Sequence, residues 1–185
     1  DLSVTNELDI SKALPEEILY WFDNYLHNVE KIKPTSKSIK MQFGLSSPYF
    51  IDVRNELDNL FEKVRDYKDV KLKFDNWSDY LEIVYGEKQK GKELFFRHTY
   101  LSTLVKLLVH LKLSSIESNR TDEILPILFG NRFAQFGIIN FSEEDFFTWP
   151  MQITIREQSS QIFSKLLLEL ERYDIDGIDE DVLKD

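Results

Sequence analysis

Apolar residues recur three and four positions apart along most of this chain, the spacing that lines one face of an α-helix. Ile18, Trp21, Phe22, Tyr25, Leu26 and Val29 form the first such stripe. It follows Pro15-Glu16-Glu17, where a proline in the first turn and two carboxylates suit the positive end of a helix. Pro34-Thr35-Ser36 breaks the stripe, and 37–47 is short and mixed. Gly44 and Ser46-Ser47-Pro48 mark a loop and a new helix start. Phe50, Val53, Leu57, Leu60, Phe61 and Val64 then give a clean period. A further helix is expected from Lys68 to Tyr85, with Val70, Phe74, Trp77, Tyr80, Leu81 and Val84 inward and Gly86 as its stop.

The span Glu93 to Leu113 is apolar on nearly all faces, which predicts a central, buried helix. A polar loop at 114–120 precedes a short helix, Asp122 to Phe129, capped by Thr121 and bent or shortened by Pro126. Residues 130–141 are aromatic and irregular. Ser142-Glu143-Glu144-Asp145 has the form of a capping box, and Pro150 ends the next turn. A long helix is expected from Ile153 to Tyr173, with Ile155, Ile162, Phe163, Leu166, Leu167 and Leu170 inward. The expected fold class is all-α: an irregular multi-helix bundle around a buried central helix at about 93–113. Residues 1–173 form one helical domain in this reading, and 174–185 an acidic connector with a helical turn at Glu180 to Leu183.

Composition agrees. The chain has 185 residues, 42% hydrophobic and 14% aromatic, enough for a core. There are only 6 Gly and 5 Pro, which disfavours a turn-rich β fold. With no Cys, disulfides and thiolate metal sites are excluded, and a reducing, cytoplasmic setting is suited. The net charge of −10 opposes broad contact with phosphate backbones. The apolar run Leu101 to Leu113 is interrupted by Ser102, Thr103, Lys106, His110 and Lys112, so no membrane span is expected. The start, Asp-Leu-Ser-Val, does not resemble a signal peptide. Together with the end at Leu-Lys-Asp, it suggests a piece of a longer protein.

The chemistry expected of common enzymes is missing from the pattern. There is no glycine-rich phosphate loop, no Gly-x-Ser-x-Gly elbow, and no paired histidine motif among His27, His98 and His110. Glu143-Glu144-Asp145 and Asp174-Asp176-Asp179 are candidates for Mg²⁺, with helix capping and a solvated linker as the preferred readings. The lysines between Gly86 and Lys92 read as a solvated loop tip. The aromatic residues, mostly on helical stripes, read as core rather than as base-stacking platforms. No catalytic, cofactor-binding or metal-binding residue is expected. One polar constellation is singled out: Arg97, His98 and Tyr100, early in the central helix. Arg97 shares a stripe with Leu94, Leu101, Leu104 and Leu108, so it is expected to be buried. A buried charge needs a partner, and Glu143, Glu144 and Asp145 are the expected partners. A hold on phosphate or on a flipped base is the functional alternative for Arg97.

Three stretches in order carry a resemblance: Glu93-Leu-Phe-Phe-Arg-His-Thr-Tyr-Leu-Ser-Thr-Leu-Val-Lys-Leu-Leu, Gly137-Ile-Ile-Asn-Phe-Ser-Glu-Glu-Asp-Phe-Phe-Thr-Trp149, and Tyr173-Asp-Ile-Asp-Gly-Ile-Asp-Glu-Asp-Val-Leu-Lys184. Pro34-Thr-Ser36 with Phe43-Gly-Leu-Ser-Ser-Pro48, and Trp77 through Gly86, agree in the same order. The set resembles the helical region that precedes the catalytic domain of N-6 adenine DNA methyltransferases of restriction–modification systems. It covers most of the chain from Pro34 onward. The resemblance implies a parent enzyme that uses S-adenosylmethionine and methylates adenine in duplex DNA after flipping the base. The glycine motif and the Asn-Pro-Pro-Tyr/Phe motif of that family do not occur in these residues. The implied partners are an adjoining methyltransferase domain of the same chain and, through the parent, DNA. The segment itself is expected to hold no cofactor and to brace or relay rather than catalyse. Two alternatives stand beside this: a free-standing acidic helical protein-interaction module, and a metal-dependent nuclease.

Overall fold

A computed structural model describes Pro15, Ile18 and residues 31–86, 91–114, 124–141 and 146–175. By contact the chain divides into two compact units, Asp1–Ile32 and Lys33–Asp185. The division falls just before the Pro34-Thr35-Ser36 break. In the first unit Pro15 and Ile18 are helical; the rest of the expected first stripe lies outside the described residues.

In the second unit every regular element described is helical: α1 (Ser36–Phe43), α2 (Pro48–Val64), α3 (Lys68–Tyr85), α4 (Lys92–Ser114), α5 (Ile124–Leu128), α6 (Asn131–Ala134) and α7 (Arg156–Glu171). Two 3-10 turns, Ile139–Phe141 and Phe146–Met151, connect the later elements. The all-α class and the bundle around a buried central helix are as expected.

Local chemistry sets the ends. The Thr35 hydroxyl accepts from the Ser38 amide at 3.1 Å while the Ser38 hydroxyl accepts from the Thr35 amide at 2.9 Å, a reciprocal cap that starts α1. The segment that reads as a break is therefore also a helix start. Gly44 follows the last turn of α1, where only glycine fits because a Cβ would lie 2.3 Å from the Lys40 carbonyl oxygen. Ser47 accepts from the Phe50 amide at 3.0 Å, and Pro48 opens α2. Gly86 stops α3 in the left-handed region, φ 77°. The expected caps Thr121 and Ser142 lie outside the described residues.

The central helix α4 packs on α2, α5, α7 and the Phe146–Met151 turn. Phe95, Phe96, Tyr100, Leu104, Leu107 and Leu111 are buried on it. Phe61 of α2 closes on Phe96 and Trp149, with ring centroids at 5.4 and 5.2 Å. Phe74 of α3 meets Phe95 edge-on at 5.1 Å. Such edge-to-face pairs add about 0.5–1.5 kcal/mol each beyond the area they bury. At the surface, Lys92 Nζ bonds Asp58 at 2.6 Å and Glu62 at 2.8 Å, while Arg54 reaches Glu93 at 2.7 Å. These pairs clamp the first turn of α4 onto α2. The bonds to Asp58 and Glu62 hold Lys92 above the usual lysine range.

Some expectations need correction. Tyr80 and Val84, expected inward on α3, are exposed. The buried face of α3 runs instead through Val70, Trp77, Ser78 and Leu81. Val84, seven residues after Trp77, lies close to that face but in the last turn of the helix, and Tyr80, to one side of the face, meets the Phe146 ring at 6.4 Å and is otherwise open. Residues 130–141, expected to be irregular, contain α6 and a 3-10 turn. The final helix starts at Arg156 rather than Ile153, because 153–155 form a turn that buries Ile155 and leaves Ile153 out. Tyr173 and Ile175 are buried, and the rest of the acidic connector lies outside the described residues.

Candidate functional site

The polar residues of α4 are the natural place to look for chemistry, because the helix that carries them is the core. His98, Thr99 and Tyr100 are consecutive, so they point in three directions about 100° apart. Each meets a different neighbour. Trp77 Nε1 of α3 donates to His98 Nδ1 at 3.1 Å. Trp149 Nε1 donates to the Thr99 hydroxyl at 3.0 Å, and that hydroxyl donates to the Phe95 carbonyl at 2.9 Å. The Tyr100 hydroxyl donates to the Phe43 carbonyl at 2.8 Å. One turn of α4 thus holds α3, the Phe146–Met151 turn and the end of α1.

Burial sets the protonation of these groups. His98 lies between Trp77 and Phe147, ring centroids 5.8 and 6.0 Å away. Desolvation lowers its pKa from 6.5. The neutral form fits, because indole N–H is only a donor and Nδ1 must therefore accept. Burial pushes the Tyr100 phenol up, with a smaller contribution from Tyr49. Tyr49 itself is pushed up to about 12, by burial first and then by Glu169 and Glu56. Both phenols stay protonated, and that of Tyr100 serves as a donor. The Thr99 hydrogen is committed to a carbonyl, so no base is in place to make it a nucleophile.

Arg97 does not join this cluster, which corrects the expectation of a buried arginine. Its side chain is 46% exposed and bonds Glu93, one turn earlier, at 3.3 Å. Leu101, on the same stripe, is 37% exposed. The stripe changes character along α4: Arg97 and Leu101 face out, while Leu104 and Leu108 farther along it are buried. Glu143, Glu144 and Asp145 lie outside the described residues, so any bond between them and Arg97 or His98 does as well.

A second polar seam was legible only as interruptions in an apolar run. Thr103, Lys106 and His110 succeed one another at three and four residues on α4, and all three are buried. Lys106 Nζ donates to the Leu128 carbonyl at 3.1 Å, satisfying an end carbonyl of α5. Arg132 of α6 is also buried, its guanidinium 5.3 Å from the Phe136 ring centroid. Burying cations in an acidic protein ties short helices to the core, and nothing in the spacing separates that from a solvated face.

Between α2 and α7 runs an open polar groove of 310 Å³, lined by Glu56, Asn59, Lys63, Gln158, Gln161 and Lys165 among others. Lys63 bridges it to Gln158 at 3.0 Å. Its polar lining thus combines amides with two lysines and one carboxylate, Glu56. Among the described residues no group of three His, Asp or Glu converges as a metal site. Gly86 and Gly130 stand at helix ends with no strand before them, so among the described residues neither opens a strand-to-helix glycine loop. No protein-family model, curated protein or solved structure matches the chain.

Proposed function

We propose that this chain is a non-catalytic helical domain of a restriction–modification enzyme, whose parent resembles an S-adenosylmethionine-dependent N-6 adenine DNA methyltransferase. What carries the reading is the placement of the residues behind the resemblance. They are scattered in sequence, yet they meet. Tyr100 bonds Phe43, Thr99 bonds Trp149, and His98 bonds Trp77. Phe43 in turn packs its ring on Tyr173 at 5.7 Å. These are contacts that keep a helical support in one shape, and they engage His98, Thr99 and Tyr100 in structural bonds. The role of such a domain is to brace the catalytic domain that adjoins it.

The test is the native gene and its product. The encoded chain beyond Asp185 is expected to contain a glycine motif and Asn-Pro-Pro-Tyr/Phe, and the full-length protein to methylate adenine in duplex DNA. A native chain lacking both motifs overturns the proposal. Residues 1–185 alone are expected to bind neither S-adenosylmethionine nor short duplex DNA at physiological salt. Micromolar binding of either, by calorimetry or fluorescence anisotropy, overturns the non-catalytic bracing role.

A further inference from the structure

Helix α3 is apolar over more of its circumference than the core covers. Leu72, Tyr80, Ile83 and Val84 are exposed, Ile83 by 83%. At 3.6 residues per turn, Leu72, Asn76, Tyr80 and Ile83 fall on one stripe. Their spacing of four, four and three is that of a seam receiving the knobs of a second helix. Single exposed apolar residues are ordinary, but three sharing one helix stripe mark a contact surface. The Tyr80 ring lies 6.4 Å from that of Phe146, which extends the stripe onto the neighbouring turn.

Beside the stripe runs an acidic ridge of Asp75, Asp79 and Glu82, all exposed. No Lys or Arg occurs from Phe74 to Gly86, although Lys71 and Lys73 stand just before. Among the described residues no ion pair engages Asp75 or Glu82.

We propose that this face of α3 docks a basic amphipathic helix of a partner protein. The partner's apolar side covers Leu72, Tyr80 and Ile83, and its lysines or arginines lie over Asp75, Asp79 and Glu82. Charge selects this occupant. A second copy would bring a matching acidic ridge and a net charge of −10, which oppose self-association. A basic helix gains both steering toward the ridge and burial of the stripe. Asn76, polar in the middle of the seam, favours one register by offering a hydrogen bond there. The surface does not depend on which enzyme the domain belongs to.

The test uses the whole chain and a labelled designed peptide of about 20 residues, long enough to hold a helix. It carries leucines at seam positions and lysines on both flanks. Two controls replace every lysine by glutamate or scramble the order. Fluorescence anisotropy is expected to show saturable binding of the lysine peptide that weakens with salt. Ile83→Asp, and separately Asp75→Lys with Glu82→Lys, are expected to weaken it by about tenfold or more. The glutamate peptide is expected not to bind. All three substituted side chains are exposed, and circular dichroism checks that the variants fold. Unchanged binding by Ile83→Asp overturns the proposal, as does equal binding of the scrambled peptide. Sedimentation of the wild type as a dimer that Ile83→Asp dissociates also overturns it, by putting a second copy on the face.

Discussion

The indole nitrogen of Trp77 donates to Nδ1 of His98 across 3.1 Å, and that bond requires the imidazole to be neutral. It joins α3 to the central helix at the point where aromatic rings from both helices and the Phe146–Met151 turn converge.

Stability is expected to fall with acidification through His98. In the unfolded chain the group titrates near 6.5, and burial lowers its pKa in the fold. The unfolded state therefore binds more protons, so the contribution is complete well above pH 6.5 and shrinks as the pH falls through it. His98→Gln keeps a side-chain acceptor without titrating. Urea unfolding of both proteins between about pH 7.5 and 5 is expected to show the wild type losing more stability than the variant. Parallel profiles would mean that His98 does not titrate differently in the fold.

Tyr100→Phe is expected to cost about 1–3 kcal/mol, since the Phe43 carbonyl loses its buried donor. The ring contact with Phe50 at 5.0 Å is retained, so packing changes little. The midpoint and slope of urea unfolding measure this. A loss within about 0.5 kcal/mol, the ordinary range for a neutral surface change, would show that the hydroxyl contributes nothing net.

Thr99 and Trp149 are expected to be energetically coupled. Thr99→Val and Trp149→Phe each break the same 3.0 Å bond. A double-mutant cycle is expected to give a coupling of about 0.5–1.5 kcal/mol. Strict additivity would mean that the bond adds nothing beyond packing.

Arg97→Ala is expected to change stability by less than about 1 kcal/mol, because a half-exposed pair with Glu93 is screened by solvent. Phe96→Ala, one position earlier and fully buried, is expected to cost about 3–5 kcal/mol. Comparable losses for the two, by thermal or urea unfolding, would return Arg97 to the core.

The contrast between Arg97 and Phe96 marks how far the pattern can be read. A helix with apolar residues on all sides announces that it is central, but it gives no phase. The leucines on its stripe point Arg97 inward, yet Leu101 on that same stripe faces out. On α3 the opposite ambiguity arises: Tyr80 and Val84 fit an inward stripe, yet both are more than half exposed. Lys106, His110 and Arg132 have the character of polar surface, yet all three are buried.

The sequence by itself determined the helical class, the approximate limits of α2, α3 and α4, the stop at Gly86, and the rank of α4 as the central helix. Those come from local rules: periodicity, capping and the backbone freedom of glycine act within a few residues of one another. Which polar groups of α4 brace the core was decided only by tertiary structure. Tyr100 meets a carbonyl 57 residues away, and Thr99 an indole 50 residues away. Such pairings depend on how helices cross, and a one-dimensional pattern carries no crossing angle. That the chain lacks a recognisable catalytic motif is legible in its residues alone. The use of His98, Thr99 and Tyr100 as three struts to three different elements becomes legible only when the helices are packed.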